Sequence, residues 1–359
     1  MSGNSVGKRF VVTCFGESHG FCVGIVVDGC PPGLKLSEEI IQEELEKRRP
    51  LSKEVSTSRS EADRVQLISG VFNGYTTGAP ITMLVRNIDV DSSWYDENRW
   101  RPRPGHADYP ALIKYRGYND YRGGGHFSGR LTAAIVMAGA VAKCYLDSKG
   151  IEVLAYTKEI AGIRVDALPT FDEIRKYRYG NTMRCPDAEV AARMEEAVAS
   201  ARVEGDSVGG IVECIAINVP VGVGDPIFDA LDADLAKMLL AIPAVKGVEF
   251  GAGFGAARLR GSENNDAYRI VDGKIIAETN NAGGILGGLS TGMPIVIRVA
   301  FKPTPSIGKK QRTVDLKKME ELEFQVQGKH DACIVPRAVP VVEAAVSIVL
   351  TDHMLRCGF

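Results

Sequence analysis

The sequence predicts an α+β fold, on three observations. Short alternating apolar runs bounded by Gly and Pro mark strands. Capped or small-residue apolar stretches mark helices. The two kinds of element mix without the strict alternation of a doubly wound sheet. Strands are expected at 9–13, 24–28, 66–71, 81–85, 210–217 and 294–301. The first helix is expected at 38–49, where Ser37 can cap, Glu38 and Glu39 suit the positive end, and Leu36 can staple to Ile41. Pro50 stops it. Further helices are expected at 131–148, 188–202, 227–241 and 342–355.

Composition narrows the function classes. The chain has 359 residues, 43 basic and 45 acidic side chains and a formal charge of −2. That balance excludes a disordered or collagen-like chain and argues against a general nucleic-acid coat, which needs a broad basic face. Its 39 glycines exceed the roughly 25 expected at the usual ~7%, so many backbone positions turn tightly or approach something closely. No secretory leader is visible in the first residues, and no 18-residue apolar run is unbroken. Lys143 interrupts 131–146, while Arg337, Glu343 and two prolines interrupt 332–350. The eight cysteines form no C-x-x-C pair, and Cys14, Cys22 and Cys30 fit no zinc or disulfide framework. The expectation is a cytoplasmic protein with reduced thiols, no metal site and no membrane span.

Three short motifs recur in the same order in each half. Gly16-Glu17-Ser18-His19 resembles Gly205-Asp206-Ser207-Val208, and Thr77-Gly78-Ala79-Pro80-Ile81 resembles Thr291-Gly292-Met293-Pro294-Ile295. Gly105-His106-Ala107-Asp108 resembles Gly328-Lys329-His330-Asp331. An internal duplication within one domain spanning 1–359 is the expectation, with pseudo-symmetric halves at about 5–150 and 200–355; chance likeness of glycine turns is the alternative.

Four of the five histidines, His19, His106, His126 and His330, lie in glycine-rich, charged contexts. An imidazole on a rigid turn suits proton donation to a leaving group, although each taken alone also reads as a structural histidine. His353, in a helix, reads as structural. Lys47-Arg48-Arg49 closes the first helix and on its own complements the helix dipole. Arg99, Arg101, Arg103, Lys114, Arg116, Arg122 and Arg130 cluster around Gly105, Gly117 and Gly123-Gly124-Gly125. Arginine forks and bare backbone N–H groups are what phosphates and carboxylates require. A solvated basic loop, or an RNA-binding loop using Trp94, Tyr95, Trp100 and Tyr109, reads the same residues differently. The glycine pairs of 283–288 and the rigid 302–306 turn add a third anion signal. These residues together describe an enzyme that acts on a small polyanion through histidine acid–base chemistry.

Longer blocks resemble one family. Phe15-Gly16-Glu17-Ser18-His19-Gly20, Arg103-Pro104-Gly105-His106-Ala107-Asp108 and Tyr121-Arg122-Gly123-Gly124-Gly125 are similar to chorismate synthase sequences. So are 245–249, 261–264, 281–285, 302–306 and His330-Asp331 followed by Pro336-Arg337-Ala338-Val339-Pro340. The likeness is collinear from about residue 5 to 355. It implies a βαβ sandwich with helices between two mostly antiparallel sheets, and a homotetramer. It implies anti 1,4-elimination of phosphate from 5-enolpyruvylshikimate 3-phosphate to give chorismate, in the shikimate pathway. Reduced FMN is the implied cofactor. A separate flavin reductase is expected to supply it, with NADPH entering only there.

By the same resemblance, His19 protonates the departing phosphate, His106 lies by the flavin, and Asp331 lies where the substrate proton is taken up. Ser18, Arg48, Arg103 and Arg130 match substrate contacts. His126, Phe127, Ser128, Pro243, Ala244, Gly287, Lys302, Pro303, Thr304, Pro305, Ser306 and Lys329 match cofactor positions. The chain departs from the family pattern at His126-Phe127, where Arg-Ser is common, at Lys329, where Arg is common, and at Glu54, beside Lys53. Lysine keeps the charge at 329 but loses the bidentate fork.

Overall fold

The structure, a computed structural model, describes residues 3–49, 63–88, 90–326 and 330–358. Its first sheet contains β1 (Ser5–Val6), β2 (Val11–Gly16), β3 (Cys22–Asp28), β4 (Val65–Ser69) and β5 (Ile81–Arg86), in spatial order β1-β2-β3-β5-β4. Helix α1 (Glu38–Arg48) joins β3 to β4, and α2 (Thr132–Ser148) follows β5. The second sheet contains β6 (Glu152–Ile160), β7 (Ile163–Arg164), β8 (Gly210–Ile217), β9 (Val245–Phe250) and β10 (Ile295–Phe301), in order β9-β10-β8-β6-β7. Helix α3 (Ala188–Val203) precedes β8, α4 (Leu231–Leu240) joins β8 to β9, and α5 (Val335–Cys357) follows β10.

Every pairing in both sheets is antiparallel. Period-two burial sets the inner faces: Ile81, Met83 and Val85 on β5, and Ile295, Ile297, Val299 and Phe301 on β10, are buried while their neighbours are less so. Helix α2 packs under β3 and β5, α5 packs under β6 and β8, and the two helices pack on each other. The fold is thus α+β, with a helical layer between two antiparallel sheets. A Cβ built on Gly139 of α2 would lie 2.2 Å from the Ala344 Cβ of α5, so only glycine permits this approach. By length and composition, Gly129–Ser148 and Val335–Cys357 would suffice to cross a membrane; here 72% and 94% of those windows are buried as this inner layer.

Local chemistry explains where the elements fall. Ser37 accepts from the Ile40 N–H at the start of α1, and Leu36 and Ile41 are fully buried. The strand expected at 66–71 ends at Ser69, because Gly70 turns with φ +87°. Helix α4 begins at Leu231 rather than 227, leaving Ile227 and Phe228 exposed. Helix α5 begins at Val335, well before 342, because Pro336 sits in the first turn, where no N–H is needed, and burial of the long apolar helix offsets the bond lost at Pro340. Strands β6 and β9 were not expected. β6 carries Glu152, Lys158 and Glu159 around a continuous buried run, and β9 has an interior glycine with a register shift between Val245 and Gly247.

Both sheets share one order. In each, the four principal strands lie first-second-fourth-third, one helix joins the second to the third, and another follows the fourth. The second sheet's first strand, Glu152–Ile160, lies ahead of the boundary expected near residue 200.

The charges that interrupt the apolar helix patterns meet one another. Lys143 Nζ donates to Glu343 Oε2 at 2.9 Å and Glu44 Oε2 at 2.6 Å, and Glu343 Oε1 accepts from the Ala155 N–H at 2.9 Å. Burial acts to raise the Glu44 carboxyl, but Lys143 and Lys47 outweigh it and hold it at about 2. A carboxyl depressed on folding contributes stability that is complete above its ordinary pKa, near 4.5, and disappears as pH falls toward about 2. Glu44→Gln is therefore expected to melt lower than the wild type at pH 7, by about 1–3 kcal/mol of stability. It should also lose less stability between pH 4.5 and 2, as thermal melts across that range will report.

Candidate active site

The site is organised by the turn between residues 122 and 131, just ahead of α2. Gly123, Gly124 and Gly125 take φ of +59°, +82° and +52°, which side-chain-bearing residues avoid. A Cβ on Gly123 would meet His19 Cδ2 at 2.2 Å and Ser18 Oγ at 2.9 Å, and one on Gly124 would meet His106 Cε1 at 2.9 Å. Two histidines distant in sequence therefore sit under adjacent glycines. The Ser18 N–H donates to Gly125 O at 3.1 Å, fixing the turn after β2 against the same loop.

Each imidazole has its own support. His19 Nδ1 lies 2.9 Å from Ser92 Oγ, and its ring meets Tyr95 edge-on at 5.2 Å. His106 Nδ1 lies 2.7 Å from Asp108 Oδ1. Arg103 Nε and Nη2 donate to the two Asp108 oxygens at 2.8 Å each, and the guanidinium lies 5.3 Å from the Tyr95 ring centroid. Burial acts to raise Asp108, but the Arg103 and His106 bonds outweigh it and hold the carboxyl well below its ordinary range. Tyr95 thus stands between His19 and Arg103. Trp94, Tyr121 and Phe127 complete a cleft over Arg103 and His106.

A cationic group lies at the other end of the same loop. Arg48 is buried; its Nε donates to Thr132 Oγ1 at 2.8 Å, Nη1 to Asp63 at 3.1 Å and Nη2 to Gly129 O at 3.1 Å. Arg130 bonds the other Asp63 oxygen, and its Nε donates to Asn87 Oδ1 at 3.0 Å. Burial pushes Arg48 down to about 9, with Arg337 and Arg130 adding to the fall and Asp63 and Asp331 opposing it. Arg337 donates to Asp331 Oδ2 at 2.7 Å.

The 302–306 segment joins the two ends. Lys302 Nζ donates to Gly105 O at 2.5 Å, and Pro305 lies where a Gly105 Cβ would come within 3.1 Å of it. Thr304 O accepts from Ser207 Oγ at 2.7 Å, and the Val208 N–H donates to Ala332 O at 2.8 Å. The links run as a ring: Lys302 holds Gly105 beside His106, Thr304 reaches Ala332 through Ser207-Val208, Asp331 pairs with Arg337, Arg337 couples to Arg48 electrostatically, Arg48 and Arg130 share Asp63, and the backbone from Arg130 leads back to Gly124. Ala244 O accepts from the Lys302 N–H at 3.0 Å, which places Pro243-Ala244 beside that ring, and Ser306 is buried within the segment.

Some expected residues lie elsewhere. Gly287 turns a short hairpin whose Gly288 O accepts from Leu231 N–H at the start of α4, whereas Ala244 lies beyond the other end of that helix. The ten-residue helix separates them by about 15 Å. His126 turns toward the first sheet, with Nε2 3.0 Å from Asn4 Oδ1 and Nδ1 3.3 Å from Gly16 O. Ser128 Oγ accepts from the Arg130 N–H at 3.2 Å. Lys53, Glu54 and Lys329 lie outside the described residues. His353 is structural: it is buried against Asp234 and Arg356. Trp100 packs with two cations, Arg99 at 5.1 Å and Lys317 at 5.0 Å from its ring centroid.

Sequence reading assigned no site role to Asp63, Ser92, Asp108 or Arg337, and named Tyr95 only as a residue that could stack a base. The short spacing of Arg103, His106 and Asp108 was a usable signal, and so was Arg337 in its proline-flanked block. Asp63 and Ser92 carried none, and the aromatic character of Tyr95 pointed to stacking rather than to His19.

Fold and site together describe an α+β chain with histidines, arginines and carboxylates gathered beside the loop that enters α2. The family described as chorismate synthase matches residues 10–355. Chorismate synthase from Korarchaeum cryptofilum is 56% identical over 356 residues, covering 99% of this chain and 98% of that one. The Thermococcus kodakarensis protein of the same name is 54% identical over 350 residues, covering 98% and 97%. A crystal structure of chorismate synthase aligns with a TM-score of 0.75 at 30% identity, over 98% of this chain and 93% of that chain. The chain belongs to the chorismate synthase family, and its class of enzyme is a lyase.

Gly123→Ala tests the loop's role directly, since the new methyl must displace the His19 ring. Chorismate formation is expected to fall by about 10²-fold, while circular dichroism keeps the wild-type spectrum.

Proposed function

We propose that this chain eliminates phosphate from 5-enolpyruvylshikimate 3-phosphate to give chorismate, using reduced FMN, in the route to the aromatic amino acids. The observation that carries the reading is the linked set of residues itself, in which two histidines, Ser18, four arginines and Asp331 are tied to the 122–131 loop and to one another. The substrate carries a phosphate and two carboxylates. Arg48, Arg103, Arg130 and Arg337 are the guanidiniums such a trianion needs once water is excluded.

In this reading the C3–O bond breaks, the C6 proton leaves on the opposite face, and a diene forms. His19 donates a proton to the departing phosphate, which would otherwise leave with an extra charge. Ser92 and Tyr95 hold that imidazole. His106, fixed by Asp108, keeps a second proton at the cofactor side, and Asp331, paired with Arg337, presents a carboxylate where the C6 proton is taken up.

The residues fit the cofactor. Thr304 Oγ1 is buried with no hydrogen-bond partner among the described residues, and Lys302 is lowered by burial and by neighbouring Lys246. An orphaned hydroxyl and two adjacent ammoniums suit a flavin nucleotide's oxygens and phosphate. Lys302 to Ser306 with Pro243-Ala244 would hold it, and Phe127 would wall the cleft. Reduced FMN, when bound, supplies electron density that assists the loss of phosphate.

Gly287 lies outside the ring, so its assignment to the cofactor requires a neighbouring subunit. The hairpin of Tyr268–Val271 and Lys274–Ala277, with Ile270 and Ile275 78% and 71% exposed, supports the homotetramer we propose. We also read the two halves as copies of one unit, which the shared strand order supports. A separate NADPH-linked flavin reductase, as supplier of the cofactor, and a cytoplasmic setting complete the reading; the eight free cysteines accord with that setting.

Anaerobic incubation with 5-enolpyruvylshikimate 3-phosphate and photoreduced FMN tests it. Chorismate absorbance and released phosphate are expected to rise one for one, and an inactive protein under saturating conditions would overturn the proposal. His19→Ala and His106→Ala are each expected to lower kcat by about 10²–10⁴-fold with the fold intact; wild-type turnover would return them to structural roles.

A further inference from the structure

The structure assigns Arg184 as a positioning residue for Arg48, acting through the backbone at the end of α1. This rests on the reading of Arg48 as a substrate contact. The last carbonyls of a helix have no partner within it, and a cation placed there is favourable. In sequence, Lys47-Arg48-Arg49 looks like that cation source. The folded chain uses them otherwise. Lys47 pairs with Glu44 and lies 5.8 Å from the Tyr179 ring centroid, while Arg48 turns into the site.

The capping cation comes instead from the loop between β7 and α3. Arg184 Nη2 donates to Lys47 O and, at 3.3 Å, to Arg49 O. Those two carbonyls bracket Arg48, so the guanidinium holds the backbone on either side of it. Arg184 is itself fixed, with 1% of its surface exposed. Its φ of +54° puts an L-residue in the left-handed region, and the turn is closed on both sides. The Arg184 N–H donates to Asn181 O at 3.2 Å, Asn181 Nδ2 donates to Cys185 O at 2.7 Å, and Arg184 O accepts from the Thr157 N–H of β6 at 3.0 Å. The guanidinium lies 5.3 Å from the Tyr179 ring centroid, and Tyr179 Oη donates to Glu343 Oε2 of α5 at 3.3 Å. One buried arginine, anchored to the second sheet and, through Tyr179, to α5, thus sets the helix end that carries Arg48.

A residue that fixes a substrate arginine, and touches no reacting atom, acts on binding. Its loss raises Kd and KM together and leaves kcat nearly unchanged. A merely structural arginine would lower the melting temperature and leave Kd alone. The test measures the Kd of 5-enolpyruvylshikimate 3-phosphate by calorimetry, with oxidised FMN present, for the wild type, R184M, R184K, R48A and the R184M/R48A double variant. R184M is expected to weaken binding about tenfold with kcat within about twofold, and R184K, which keeps one charged donor, about threefold. The double variant should bind no worse than R48A alone, because the two residues act as one unit.

A folded R184M with wild-type Kd, or independent losses that multiply in the double variant, overturns the inference. Should R184M fail to fold, R184K decides alone, and a wild-type Kd for it overturns the inference equally. A wild-type chain that neither binds nor converts the substrate would overturn the proposed function first and this inference with it. A competent wild type beside an unaffected Arg184 variant overturns this inference only.

Discussion

Three like charges held close together are the constraint on which the rest depends. Arg48, Arg130 and Arg337 lie within electrostatic reach of one another, and Asp63 and Asp331 are the carboxylates set among them. Water no longer screens such a group, so mutual repulsion and lost hydration both drive it apart. That Arg48 is pushed down to about 9 is the local sign of this tension. On the proposed reading, an entering polyanion would complete the neutralisation that the two aspartates leave unfinished, and so convert the tension into affinity. The group survives without the anion only if the backbones that carry it cannot separate. Arg48 ends α1, Arg130 precedes α2 and Arg337 opens α5, and these three helices form the packed inner layer. The Gly139–Ala344 approach and the Lys143 pairs with Glu44 and Glu343 then lock that layer from within.

The acid–base half of the site solves a different problem. On the proposed reading, its imidazoles must be near one another yet held separately, because each would manage its own proton. Adjacent glycines achieve the nearness: residues 123 and 124 have no Cβ where His19 and His106 pass. Separate holders achieve the independence, a hydroxyl from Ser92 for His19 and a carboxylate from Asp108 for His106.

What could be read from the sequence follows from what is local. The cap at Ser37, the period-two strands at 81–86 and 295–301, and the histidines on glycine turns are all written in a few neighbouring residues. Tertiary burial decided the rest. Strand β6 hides its pattern because polar residues flank a run buried on both faces, and α5 tolerates two prolines because the layer around it covers nearly all of it. The helix-end cations show the limit most clearly. A dipole argument applied to Lys47-Arg48-Arg49 names the right kind of charge and the wrong residue, since Arg184, from a loop more than a hundred residues away, takes the carbonyls. The partners of Asp63 and Tyr95 were illegible for the same reason: they are defined only by the folded chain.

The two turns that resemble each other in sequence also sit alike, and their differences carry meaning. Ser18, ahead of β3, donates its N–H to Gly125 O, and Val208, ahead of β8, donates its N–H to Ala332 O. Each turn is therefore pinned to a segment entering the long helix of its own half. Yet the first turn bears His19 and the second bears Val208, while the neighbouring Ser207 is occupied with Thr304 O. One turn presents the imidazole that we read as the proton donor, and the other supports the segment that we read as the cofactor cradle. A symmetric pair would place two acids where the reaction has one departing phosphate. On the proposed reading, the lack of an imidazole on the second turn leaves its side to the flat ring of the cofactor, so that two turns placed alike would serve a donor face and a cofactor face.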